Sequence, residues 1–242
     1  MSGLGLERFR RRRQSVRRRR WWPWVVGLVA VAVLAVGAWV VGFSTLLSAR
    51  DVQVDGLDTL SAADVRRQAA VASSTPLARV DTAAVAARVE QLPRVRAVTV
   101  SRSWPRTLVV DVRERTAVAV VREGDTIRGL DTEGVLFRTY RSAPARLPRV
   151  TLTAGGDARA REDALQEIAR VVTALDPEVA RRVQRVQASS MDAITLVLNG
   201  GDEVRWGSAA QSARKAEVLL PLLEVPADVY DVSAPARPTT RT

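Results

Sequence analysis

Between Trp21 and Phe43 the sequence reads WWPWVVGLVAVAVLAVGAWVVGF, 23 residues without a charged side chain. A helix of that length spans about 34 Å at ~1.5 Å per residue, against a hydrocarbon core of ~30 Å. In lipid a lone segment satisfies its own backbone only as a helix. Trp21, Trp22, Trp24 and Trp39 lie towards the two ends of the run, where aromatic rings favour the interface. Nine arginines and one acid, Glu7, occupy residues 1–20, and Arg17, Arg18, Arg19 and Arg20 abut the apolar run. The positive-inside rule keeps such a tail in the cytoplasm and puts residues 44–242 outside. A cleaved signal peptide has a shorter apolar region and a small-x-small cleavage site. This run is longer and LLSARD is a poor site, so an uncleaved signal anchor is expected. The pair Arg12-Arg13 falls in so Arg-rich a tail that chance accounts for it. The tail also suits contact with anionic lipid, although topology alone explains it.

This placement changes how the net charge is read. Of +11 overall, the first 20 residues carry +8 and the other 222 only +3. A nucleic-acid-binding fold spreads basic charge over a folded face, so no nucleic-acid partner is expected. The chain has neither Cys nor His. That removes disulfides, thiol nucleophiles and the commonest general base and metal ligand. No phosphate-cradling Gly-rich motif and no EF-hand spacing occurs. No cofactor, metal or small-molecule substrate is expected.

After the apolar run, Val52 and Val54 alternate up to a turn at Asp55-Gly56. Ser61 and Asp64 have capping-box spacing, and Val65, Ala69 and Ala72 fall on one helical face. Asp81 suits the cap of a second helix with Val85, Val89 and Leu92 on one face and Pro93 as its stop. Then comes LPRVRAVTVSRSWPRTLVVDVRER over residues 92–115. Val98 and Val100 share one strand face; Leu108, Val110 and Val112 share another. Trp104, Pro105 and Arg106 make the turn, with Trp104 extended before proline. The order is β-α-α-β-β: three strands covered by two helices. The arginines of this hairpin (Arg96, Arg102, Arg106, Arg113 and Arg115) read most simply as solvating it.

From Thr116 the pattern changes. AVAVV, TIRGLDTEGVLF and LPRVTL read as short strands punctuated by Gly129 and the DTEG turn. Leu165, Ile168, Ala169 and Val172 share a helical face, with Glu162 and Asp163 in the first turn. EVARRVQRVQAS reads as strand. ITLVLNGGDEVRWG is a hairpin with Ile194, Leu196 and Leu198 alternating and Asn199-Gly200 as a two-residue turn. Residues 208–223 read as a helix with Ala213, Ala216, Leu220 and Leu223 in register. DVYDVS closes as a strand, and the last residues, with Pro235 and Pro238, read as a tail.

VQVDGLDTLS, the Trp-Pro hairpin, LDTEGVLF, LPRV, ITLVLNGGDEVRWG, KAEVLLPLL and VYDVSAP together resemble the FtsQ/DivIB cell-division proteins, from the basic tail to about residue 233. The resemblance implies an α+β fold. A basic cytoplasmic tail (1–20) and a transmembrane signal anchor (21–43) precede a β-α-α-β-β POTRA domain (49–115). A mixed α/β domain with a largely antiparallel sheet (116–233) and a flexible tail (234–242) follow. It implies a non-enzymatic bitopic scaffold of the divisome at the septum, which recruits FtsB and FtsL and meets the septal synthase complex. Carried over by position, Val229, Tyr230, Asp231 and Val232 form the partner-binding edge strand, with Tyr230 as anchor; Pro235 and Pro238 limit any strand beyond it. Trp104, Pro105 and Arg106 are a docking or structural turn, and Arg17 to Arg20 set topology. The alternative is a POTRA-bearing component of a translocation or secretion assembly, which would show repeated POTRA units or a membrane barrel.

An enzyme reading rests on Ser212 and Lys215, which fit S-x-x-K. The S-D-N and K-T-G partners are absent, Lys215 is the sole lysine, and both residues fall in a helix with a packing role. Asp131 and Glu133 sit in a turn with no cleft between them for a sugar.

Overall fold

The computed structural model describes residues 22–39, 47–73, 75–153 and 157–242. Helix α1 (Trp22–Trp39) is long and apolar enough to cross a membrane and is exposed along its whole length. The topology residues Arg17 to Arg20, and Trp21 and residues 40–43 of the apolar run, lie outside the described residues. Two compact units follow from the packing: residues 1–92 with 97–112, and residues 93–96 with 113–242.

The first unit has the expected order: β1 (Asp51–Asp55), α2 (Ala62–Ala69), α3 (Thr82–Glu90), β2 (Val95–Ser103) and β3 (Thr107–Glu114). The sheet order is β1-β3-β2, with β1 parallel to β3. Val65, Ala69, Val85 and Val89 of the helices and Leu108, Val110 and Val112 of β3 are all buried. Both caps form: Ser61 Oγ accepts from Ala63 N at 3.1 Å and Asp81 Oδ1 from Ala84 N at 3.0 Å. The reciprocal half of the capping box does not. The Asp64 carboxylate, one methylene shorter than Glu, instead accepts from Arg67. Helix α2 ends at Ala69, where Ala70 turns left-handed at φ 46, so Ala72 lies outside it.

The second unit is built on nine strands, ordered β12-β11-β10-β9-β8-β7-β4-β5-β6. Strands β4 (Ala117–Glu123), β5 (Thr126–Asp131) and β6 (Leu136–Tyr140) form a meander. Strands β7 (Arg149–Leu152) and β8 (Val183–Ser190) are parallel neighbours joined through α4 (Ala158–Ala174) and α5 (Pro177–Arg182). Strands β9 (Ala193–Leu198) and β10 (Glu203–Gly207) are the expected hairpin, and α6 (Ser212–Leu222) leads from β10 to a parallel neighbour, β11 (Val229–Asp231). Parallel neighbours need such a crossover because a tight turn cannot reverse the chain twice. The fold is α+β with a mixed sheet.

Leu165, Ile168, Ala169 and Val172 of α4, Leu219 of α6 and Val186, Leu196, Val204 and Trp206 of the sheet bury in one cluster. Both helices therefore cover one face of the sheet.

Four local readings are corrected. EVARRVQRVQAS divides into α5 and β8: Asp176 caps Glu178 N at 2.7 Å and Pro177 occupies the first helical turn, where its missing N–H costs nothing. Helix α4 begins at Ala158, capped by Asp157, so Glu162 and Asp163 fall beyond its first turn. The β9–β10 turn is longer than Asn199-Gly200: Leu198 N donates to Asp202 O at 2.9 Å, and Gly201 takes the positive φ, at 99°. Helix α6 starts at Ser212 and buries Lys215 and Leu219, leaving Ala213 and Leu220 exposed.

Beyond β11 a twelfth strand forms. β12 (Thr239–Arg241) runs antiparallel to β11, with Val229 opposite Arg241, Tyr230 opposite Thr240 and Asp231 opposite Thr239. The expected flexible tail thus ends in the sheet. Pro235 and Pro238 fall in the connection, where neither occupies a ladder position.

Candidate partner-docking site

Strand β11 is fixed on both sides. Glu203 N donates to Asp228 O at 2.8 Å and Val232 N to Arg205 O at 3.0 Å, tying it to β10. On the other side, Asp228 N donates to Arg241 O at 2.9 Å. Tyr230 is 3% exposed. Its hydroxyl donates to Val225 O at 2.9 Å and accepts from Ala227 N at 3.1 Å. Val232 is buried, while Val229 and Asp231 are half-buried. Asp231 Oδ1 accepts from Ser233 N at 3.0 Å and Ser233 Oγ at 2.6 Å. The four residues read as an edge strand are therefore second from the edge, and Tyr230 is a core residue whose phenol braces the approach to its own strand. The edge position belongs to Thr239, Thr240 and Arg241, all exposed. Val225, whose carbonyl takes the Tyr230 hydroxyl, has an exposed side chain.

The corner before α6 is held by the sole lysine. Lys215 Nζ donates to Trp206 O and Ser208 O, each at 2.9 Å. These carbonyls flank Gly207, which has φ 75. Burial pushes the Lys215 ammonium below its ordinary value, and the charge of Asp231 opposes that shift. Ser212 Oγ donates to Ala209 O at 2.8 Å and accepts from Trp206 Nε1 at 3.1 Å. Serine and lysine each face a backbone carbonyl instead of one another, so this S-x-x-K works as a brace for Trp206 and the start of α6.

In the first unit, Trp104 and Pro105 are exposed and joined by a cis peptide bond, with Trp104 52% accessible. The Arg106 carbonyl accepts from Arg50 N at 3.0 Å, so the turn also anchors the entry to β1. Arg102 does more than solvate: Nε donates to Leu77 O at 3.0 Å and an Nη to Val80 O at 2.6 Å. Within the second unit, Asp131 is buried and its Oδ1 accepts from Glu133 N at 2.9 Å and Val135 N at 2.8 Å. Its other oxygen takes Arg115, which also reaches Glu133 at 2.8 Å. Arg96 joins Glu133 at 3.2 Å. Burial lowers the Arg115 guanidinium, and its hydrogen bonds to Asp131 and Glu133 more than offset this, leaving it above its ordinary value. These carboxylates are committed to a turn that Gly134, at φ 83 and against the Gln166 backbone, allows α4 to approach.

A β-α-α-β-β unit and a mixed sheet ending in an exposed strand, behind one helix long and apolar enough to cross a membrane, make this a POTRA protein with a second sheet domain. Family models agree over most of the chain. Residues 47–115 match the POTRA domain, FtsQ-type, and residues 119–232 match Cell division protein FtsQ/DivIB, C-terminal. The chain is 37% identical over 228 residues to the cell division protein FtsQ of Streptomyces coelicolor, covering 89% of this chain and 86% of that protein. It is 39% identical over 229 residues to FtsQ of Streptomyces collinus, covering 89% and 87%. Against FtsQ of Mycolicibacterium smegmatis it is 39% identical over 214 residues, covering 88% and 63%. A solved extracytoplasmic domain of DivIB from Geobacillus stearothermophilus is 21% identical over 45% of this chain and 91% of that one, with a TM-score of 0.35, too loose for any argument to rest on it. The chain belongs to the FtsQ/DivIB family of cell division proteins.

Proposed function

We propose that this chain is a non-enzymatic bitopic scaffold of the divisome. Its N-terminus lies in the cytoplasm and both folded units lie outside, at the division septum. It links early and late division proteins: the POTRA unit docks earlier partners or the septal synthase complex, and the sheet domain recruits FtsB and FtsL by strand addition. The observation that carries the recruiting step is β12. It is the terminal strand of the nine-stranded sheet, all three of its residues are exposed, and β11 beneath it is locked into the core. A terminal strand presents unpaired backbone groups, and an added strand satisfies them. Confinement to one membrane raises the effective concentration of partners, so a short edge suffices.

Depletion of the protein in its own host, rescued by a tagged copy, tests both parts. Septal signal and restored septa are expected for the unaltered copy. A Thr240→Pro copy loses a backbone donor in β12 and should reach the septum at normal abundance but retain at least tenfold less FtsB and FtsL. Undiminished capture would move the interface off β12. Normal division after depletion would reject the scaffold role itself.

A further inference from the structure

The sheet face opposite the helices holds a feature that strand addition does not use. Strand register sets a row across seven strands: Val120, Arg149, Arg185, Val197, Glu203, Val229 and Arg241. Ala119 and Val121 enter the core on either side of Val120, which places this row on the other face. A cleft of about 190 Å³ opens at its start, over Val120, Ile127 and Ala143, with Arg122, Arg149, Arg185 and Thr151 around it. Arg149 and Arg185 stand directly opposite each other on β7 and β8. Like charges in that position repel. No carboxylate lines the cleft, and none of the three arginines makes an ion pair with a described residue. Glu203, the acid of this row, stands two strands from Arg185, about 10 Å away at ~4.8 Å per strand. The acid nearest to Arg122 in sequence, Glu123, is already taken: it reaches Arg161 at 2.8 Å and Arg128 at 3.3 Å.

We propose that this cleft is a second docking site, for an acidic peptide segment of a partner protein that places an aliphatic side chain on Val120, Ile127 and Ala143 and its carboxylates on Arg122, Arg149 and Arg185. Arginine forks match carboxylates with two parallel hydrogen bonds, and three unanswered guanidinium groups around one cleft call for more than one acid. The aliphatic floor asks for an apolar part as well, which a bare inorganic anion lacks. A single-stranded nucleic acid would want aromatic side chains to stack its bases, and none lines the cleft. The site is separate from the β12 edge and does not depend on it.

The test uses the full chain in detergent micelles. Because the sequence has no cysteine, Thr151→Cys supplies a single thiol for a fluorophore at the cleft. The probe is a synthetic peptide alternating Glu and Leu, against the same peptide with Gln for Glu. The expected result is a saturable change with the acidic peptide. It should weaken at least tenfold in Arg149→Gln/Arg185→Gln and with added salt, stay unchanged in Thr240→Pro, and be absent with the Gln peptide. Both arginines are exposed, so the double variant should melt no lower than the parent, checked by circular dichroism. The proposal is overturned by equal binding by the double variant, equal binding of the Gln peptide, a response to inorganic phosphate at the same concentration, or a response only to vesicles containing anionic lipid. Loss of binding in Thr240→Pro alone would assign the peptide to the sheet edge, also overturning this site while leaving the edge reading standing.

Discussion

The two faces of the nine-stranded sheet obey different rules. On the helix face, each charge noted has an answer: Glu123 holds Arg128 and Arg161, Glu167 holds Arg170, and Lys215 is spent on two carbonyls. Apolar side chains from α4, α6 and seven strands close over one cluster. On the opposite face, Arg122, Arg149 and Arg185 gather around one cleft with no ion pair to a described residue, and the acid of their row, Glu203, stands two strands from Arg185. Residues next to each other in sequence, such as Trp206 and Arg205 or Val186 and Arg185, therefore face opposite ways: one is buried in the core and its neighbour is exposed. The difference teaches that charge in this chain is allocated by face rather than by residue type.

The strongest way to break this comparison is Trp206→Ala. The indole is fully buried and its Nε1 donates to Ser212 Oγ. Removing a buried large aromatic costs about 3–5 kcal/mol, a large share of a typical domain's stability. The second unit should melt well below the parent in a thermal scan of the detergent-solubilised chain. A loss under about 1 kcal/mol would mean the helix face is not the stabilising one.

A smaller effect is expected at Lys215→Met. It keeps a long side chain but leaves the Trp206 and Ser208 carbonyls without their donor, at about 1–3 kcal/mol. The pH dependence separates this from ordinary packing. The folded chain holds the Lys215 ammonium below its ordinary value of 10.5, so between the lowered value and 10.5 the unfolded state binds more protons. Stability from this group then rises with pH across that window and levels off above it. The parent should gain on the Met variant as pH approaches 10.5 in denaturant titrations. A parent that loses ground over the same range would show that the charged lysine stabilises this corner.

Much of the helix face was legible in the sequence. The spacing of Leu165, Ile168, Ala169 and Val172 gave the buried stripe of α4, and alternation gave β9 and β10, as it gave β3 in the first unit, because burial there follows apolarity. Where burial departed from apolarity, reading failed. Of the stripe expected on α6, Ala216 and Leu223 pack against the core while Ala213 and Leu220 are exposed. No hydropathy pattern places a lysine inside; only the two carbonyls at the Gly207 corner explain Lys215. Strand β12 was missed because Thr239, Thr240 and Arg241 have neither alternation nor bulk, and two prolines before them read as a stop. Tyr230 reads as an anchor only through the family resemblance, which makes its strand the last; β12 lies outside that strand, and the Tyr230 ring packs in the core with its hydroxyl on Val225 and Ala227. The open-face cleft could not be read at all. Arg122, Arg149 and Arg185 lie on three strands up to 63 positions apart in number, and each alone reads as a solvating charge. Only register brings them together.

The finest test of the comparison is the smallest in energy. Substitution of Arg185 by Gln should change unfolding free energy by no more than about 0.5 kcal/mol, as for surface sites without a structural role. Its sign carries the information. With Arg149 directly opposite, removal of either charge relieves the same repulsion, so each single variant should be slightly more stable than the parent. The double variant should then gain less than the sum of the two, since the second substitution finds no repulsion left to relieve. That non-additivity is what a double-mutant cycle reads, and it should shrink with added salt as the Debye length falls from about 10 Å at 0.1 M towards 3 Å at 1 M. Additive effects, or a loss above about 1 kcal/mol from either single variant, would mean that the guanidinium groups already serve the fold. The two faces would then differ in composition but not in purpose.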